Sequence, residues 1–136
     1  MGTVVIVVSN DERILEELLE VVLKSDPNVK TVRTDDKEKV KEEIEKARKQ
    51  GRPIVIFIRG AYEEVVRDIV EYAQKEGLRV LVIKVAQDQE LLERFYEQLK
   101  KDGVDVRVTD NEDEAKKRLK ELLEKVGSLE HHHHHH

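Results

Sequence analysis

Five short runs of β-branched and aliphatic residues alternate with longer stretches of helical period. The runs are Thr3–Val8, Val29–Arg33, Ile54–Ile58, Arg79–Lys84 and Asp105–Val108, and their starts fall 26, 25, 25 and 26 residues apart. Between them the pattern predicts helices over approximately Asp11–Lys24, Asp36–Gln50, Ala61–Glu76, Asp88–Lys101 and Asp110–Val126. In the first, Ile14, Leu15, Leu18, Leu19, Val22 and Leu23 form one stripe while Glu16, Glu17 and Glu20 lie opposite. In the last, Ala115, Leu119, Leu122, Leu123 and Val126 repeat the arrangement. Strand–helix alternation at this spacing implies right-handed βαβ units: (βα)5, a five-stranded parallel sheet in a three-layer αβα sandwich. The units share a length but no sequence repeat, so a solenoid is excluded.

Strand composition sorts centre from edge. Val4-Val5-Ile6-Val7-Val8 and Ile54-Val55-Ile56-Phe57-Ile58 are apolar on both faces, as strands covered on both sides must be, and Val80-Leu81-Val82-Ile83 is nearly so. Lys30 and Arg33 in the second run, and Asp105 and Arg107 in the fifth, place charges where they blunt a sheet edge. Strands 2 and 5 are therefore the expected edges. An order 3-2-1-4-5 would expose the very apolar third strand and is rejected. Two orders remain: 2-1-3-4-5, the flavodoxin-like arrangement, which is preferred because it is common, and 2-3-1-4-5, the P-loop-like arrangement.

The helix boundaries are marked with unusual regularity. A glutamate follows three residues after each candidate cap: Ser9/Glu12, Asp35/Glu38, Gly60/Glu63, Gln87/Glu90 and Thr109/Glu112. The first and last have the hydroxyl-and-carboxylate form of a capping box. Glycine stands at four expected helix ends, Gly51, Gly77, Gly103 and Gly127, where a left-handed residue closes the last turn. The first helix stops instead at Pro27. Exposed faces carry acid-to-base pairs four residues apart, among them Glu42/Lys46, Glu45/Lys49, Glu90/Arg94, Glu97/Lys101, Glu112/Lys116 and Glu114/Arg118. Each such pair contributes only about 0.2–0.5 kcal/mol.

Composition narrows the chemistry. The last ten residues, GSLEHHHHHH, read as an expression tag, which leaves residues 1–126 as a single domain. All six histidines lie in the tag and there is no cysteine, so the body has no imidazole or thiol for base, nucleophile or soft-metal chemistry. Charged residues make up 40% of the chain with both signs interleaved, and the net charge of −5 offers no basic field to nucleic acid or an anionic membrane surface. The longest apolar runs are five residues, far short of a membrane span. The expectation is a soluble cytoplasmic monomer with no partner and no cofactor.

Short rule-following connections, Val/Ile strands, Glu/Lys/Arg helix faces and the terminal LEHHHHHH together resemble idealised de novo designed α/β proteins of Rossmann-like, P-loop-like and flavodoxin-like type. The likeness covers the whole chain and rests on style, since natural chains usually break one or two local rules where they work. It implies a very stable monomer made to test folding rules, with no evolved ligand, no enzymatic activity and no catalytic, cofactor or metal residues.

Candidate sites lie at the carboxyl ends of the strands, where open parallel sheets bind ligands. Ser9-Asn10-Asp11 has none of the glycines of a phosphate cradle, there is no GxxxxGK[ST], and Asp11 and Glu12 would repel an anion. A phosphoacceptor receiver domain needs an aspartate ending the third strand, Ser or Thr ending the fourth and Lys ending the fifth. This chain has Arg59, Lys84-Val85-Ala86 and Thr109 there. The acid clusters Asp35/Asp36 and Asp110/Glu112/Asp113 lack calcium-loop spacing and read as helix caps. Lys84, with Arg59 and Tyr62 on the same rim, is the one side chain with potential for Schiff-base chemistry. The simpler expectation is that its strand has left the core and the ammonium is solvated. Phe57, Tyr62, Tyr72, Phe95 and Tyr96 read as packing, without a basic stacking platform. The alternative function is a flavodoxin- or receiver-like module binding a small molecule or a phosphoryl group.

Overall fold

The computed structural model describes residues 2–60, 63–86 and 93–134. The elements are β1 (Thr3–Ser9), α1 (Glu12–Ser25), β2 (Lys30–Arg33), α2 (Lys37–Gln50), β3 (Ile54–Arg59), α3 (Glu63–Lys75), β4 (Arg79–Val85), α4 (Glu93–Lys101), β5 (Asp105–Thr109) and α5 (Glu112–His134). All strand pairs are parallel and the sheet order is β2-β3-β1-β4-β5. The charged second and fifth strands are the edges, as expected. The preferred flavodoxin-like order is corrected to the P-loop-like one.

Strand length supplies a reason for the correction. β1 pairs along its whole length with β4, from Thr3 opposite Arg79 to Ser9 opposite Val85, and along six positions with β3. The four-residue β2 then lies against the six-residue β3. Placing β2 beside the seven-residue β1 instead would strip backbone partners from more of the most apolar strand, and unpaired buried N–H and C=O groups are costly.

Two-residue alternation divides the core into two halves. Val4, Ile6, Val8, Ile54, Ile56, Ile58, Val80 and Val82 face the layer formed by α2, α3 and α4. Val5, Val7, Val55, Phe57, Leu81, Ile83 and Val85 face α1 and α5. The continuous apolar runs thus feed both faces of a doubly covered sheet, which makes the three layers.

The helix caps sit one or two residues later than the spacing of cap and glutamate places them. Asp11, not Ser9, caps α1, its carboxylate accepting from the Arg13 N–H at 2.9 Å. Asn111, not Thr109, caps α5 through the N–H groups of Asp113 (2.8 Å) and Glu114 (3.2 Å). Asp36, not Asp35, caps α2. A charged or amide acceptor close to the helix outcompetes the more distant hydroxyl. Asp36→Ala is expected to cost about 0.5–2 kcal/mol, whereas Asp35→Ala stays within about 0.5 kcal/mol. Denaturant midpoints of the two variants check the assignment, and the reverse ranking would restore Asp35 as the cap.

Gly51, Gly77 and Gly103 take positive φ at helix ends, as expected. Gly127 does not end a helix: α5 continues through it to His134. At the other three glycines the chain must turn back to a strand, which selects the left-handed turn. The pairs Glu42/Lys46 and Glu45/Lys49 form at 3.7 and 4.0 Å. Elsewhere tertiary partners replace the local ones: Arg118 meets Asp105 at 3.2 Å, Glu114 meets Arg107 at 2.6 Å and Lys116 meets Glu17 at 3.2 Å. Glu97 pairs with Lys100 rather than Lys101. Glu90/Arg94 and the Gln87/Glu90 cap lie outside the described residues.

Candidate functional site

The carboxyl edge of the sheet collects Ser9-Asn10-Asp11, Thr34-Asp35-Asp36, Arg59-Gly60, Lys84-Val85-Ala86 and Thr109-Asp110-Asn111; Tyr62 and Asp88 lie outside the described residues. At the β1–α1 turn the polar side chains of Ser9 and Asp11 are committed to nearby amides. Buried Ser9 accepts from the Asp11 N–H through Oγ at 3.1 Å, and its carbonyl accepts from the Gly60 N–H at 3.0 Å. Asp11 occupies the amide of Arg13, one of the free N–H groups a phosphate would use. Glu12 adds negative charge, held by Arg33 on β2 and by Arg59 Nη1 at 3.3 Å, while Glu16 also pairs with Arg33. The helix N-terminus thus carries its own carboxylate cap, and its next acids are held in ion pairs.

The β5–α5 turn is built the same way. Thr109, buried, accepts from the Asn111 N–H at 3.0 Å and donates to Glu114 Oε2 at 3.0 Å. Among the described residues no group of three or more Asp, Glu, His or Cys is arranged to hold a metal ion. Glu112 interacts with Glu17 on α1 and with Lys116. A shared hydrogen bond with Glu17, then burial, raises the Glu112 carboxyl above the usual range, while that bond and Lys116 lower Glu17. Beside this contact, a groove of about 410 Å³ lined by Glu17, Glu20, Lys24, Lys116 and Lys120 mixes both charge signs, running toward the opposite edge of the sheet.

Lys84 overturns its expectation. It is fully buried, and Nζ has no hydrogen-bond partner. β4 runs on to Val85, so Lys84 lies inside the strand, opposite Val8 of β1 and Val108 of β5. Its spacing from Val80 and Val82 directs it to the α3–α4 face. Desolvation lowers the ammonium from its usual 10.5 to about 8. On the same face the Tyr96 hydroxyl is pushed up by burial and by the Glu63 carboxylate. Arg59, by contrast, is exposed and belongs to the Glu12 ion pair. The structure therefore does not bring Arg59 and Lys84 into one site. The missed signal was the two-residue period itself, which puts Lys84 in line with Val80 and Val82.

Strand order and local geometry define a P-loop-type α/β scaffold whose first turn lacks the phosphate loop. No protein-family model and no curated protein matches the chain. Solved structures do. A de novo designed PLOOP2X3_50 fold protein, solved by solution NMR, is 94% identical over the whole of both chains with a TM-score of 0.89. The crystal structure of an engineered protein is 95% identical over 91% of this chain and 98% of its own, with a TM-score of 0.62. A de novo designed protein of P-loop NTPase fold is 26% identical over the whole of both chains with a TM-score of 0.82. The chain belongs to this family of de novo designed P-loop-fold proteins, which agrees with the style of its sequence.

Proposed function

We propose that the protein binds no nucleotide and catalyses no reaction, and that its role is to embody a fold built from local rules. The observation that carries this reading is the β1–α1 turn. In the position where a P-loop scaffold would cradle phosphate, Ser9 and Asp11 already occupy the amides of Asp11 and Arg13, and Asp11 and Glu12 place carboxylates there. The receiver-type alternative lacks its phosphoacceptor aspartate, with Arg59 at that place, and the flavodoxin-type alternative lacks its strand order. Asp11 and Asp36 serve separate helix ends.

The test is thermal: ATP, GTP, FMN, acetyl phosphate and Mg²⁺ are each expected to leave the melting temperature unchanged. A ligand at a hundred times its Kd would stabilise the fold by about 2.7 kcal/mol, so specific binding is easily seen. A reproducible, saturable shift with any of them overturns the reading. In the same experiment the unliganded monomer is expected to melt above about 90 °C, the range reached by idealised chains. A cooperative melt near about 55 °C would contradict the idealised-fold account.

A further inference from the structure

Lys84 is the one amine of the described residues that is completely enclosed and left without a polar partner. Most buried polar atoms find a partner, and an unsatisfied one needs a physical account. Its lateral neighbours are Val8, fully buried, and Val108, only half-buried; two residues on, just past the end of β4, Ala86 is also half-buried. The amine thus lies one side chain below the carboxyl edge, in apolar surroundings that thin toward solvent. Small local openings at such an edge require far less than global unfolding.

We propose that Lys84 is a covalent capture site for small, uncharged, apolar aldehydes. The nitrogen lone pair attacks the carbonyl carbon, a C–N bond forms and the carbonyl electrons move to oxygen. Proton transfer from nitrogen to oxygen gives a carbinolamine. Loss of water then leaves a C=N bond, so Lys–NH₂ and R–CHO yield the imine and H₂O with no change of oxidation state. Two features favour the step. Desolvation keeps a far larger fraction of this amine neutral at pH 7 than of a solvated lysine. The neutral imine also replaces a buried cation by a group the apolar pocket accepts. Anionic aldehydes are disfavoured because no other buried basic side chain lies among the described residues to receive their charge. The inference is independent of the absence of nucleotide binding.

The experiment incubates the full chain at pH 7 with one equivalent of propanal and cyanoborohydride, which adds hydride across C=N and fixes each imine as a propyl amine. Peptide mass mapping then locates the label over time. The expected result is labelling of Lys84 about tenfold or more faster than the mean of the exposed lysines. The α-amine of Met1, intrinsically low in pKa, is read separately by its own peptide. Lys84→Met removes the fast lysine phase and leaves the slow surface labelling as it was. Glyoxylate, which carries a carboxylate, loses the preference for Lys84. Labelling of Lys84 at or below the surface mean with propanal overturns the proposal, as does a fast lysine phase that survives in Lys84→Met.

Discussion

Replacing Phe57 or Ile56 with alanine is expected to produce the largest losses of stability among single core substitutions, about 3–5 and 2–5 kcal/mol respectively. Both lie on β3, both are fully buried, and they point to opposite faces. Ile56 sits opposite Ile6 on one side and Val32 on the other, beneath the α2–α3 layer. Phe57 is opposite Val7 and packs toward α1 and α5. Each deletion leaves a cavity walled by strands on both sides, which cannot collapse without disturbing their pairing. Val106→Ala removes less volume from β5, whose single neighbour is β4, and is expected to cost clearly less. Guanidinium titrations of the three variants check this ranking. A larger loss at Val106 than at Ile56 or Phe57 would mean that the energetic centre of the sheet lies elsewhere.

The same residues mark how far the fold is legible from its sequence. Apolar runs such as Val4–Val8 and Ile54–Ile58 announce strands covered on both faces, and Lys30, Arg33, Asp105 and Arg107 announce edges. Those signals are identical for the orders 2-1-3-4-5 and 2-3-1-4-5, because both keep strands 1 and 3 inside. Choosing between them requires knowing which long strands pair fully, and β2 turns out to have only four paired residues. The cap positions are hard to read for a different reason. Ser9/Glu12 and Thr109/Glu112 match a favourable spacing, yet Asp11 and Asn111 stand nearer the helix and take the amides. The rim held one further misreading, since a lysine at the end of a strand pattern looks solvated when the strand is ended one residue early. Its neighbours across the sheet, Val8 and Val108, are visible only once register is known.

Lys84→Met is expected to stabilise the protein at pH 7, by about 3 kcal/mol at most, an unusual sign for a core substitution. Methionine keeps a long unbranched stem in the space between Val8 and Val108 and removes an amine that has no partner there. The pH dependence distinguishes this cause from better packing. In the unfolded chain Lys84 loses its proton near 10.5, whereas in the folded chain desolvation brings that loss down to about 8. Below about pH 8 both states are protonated and the fold bears the full cost of the buried charge. Between about 8 and 10.5 the folded state is neutral while the unfolded state still binds a proton, so wild-type stability rises with pH. Lys37 and Lys116, raised by Asp68 and Glu17, act in the opposite sense, their contributions fading only as pH climbs beyond 10.5. The advantage of Lys84→Met should therefore be largest at pH 7 and shrink steadily toward pH 10.5. Paired guanidinium titrations at pH 7, 9 and 10.5 measure it. A gap that is constant with pH, or a variant less stable at pH 7, would mean that the ammonium is solvated in the folded state and that the apolar enclosure assigned to it is wrong.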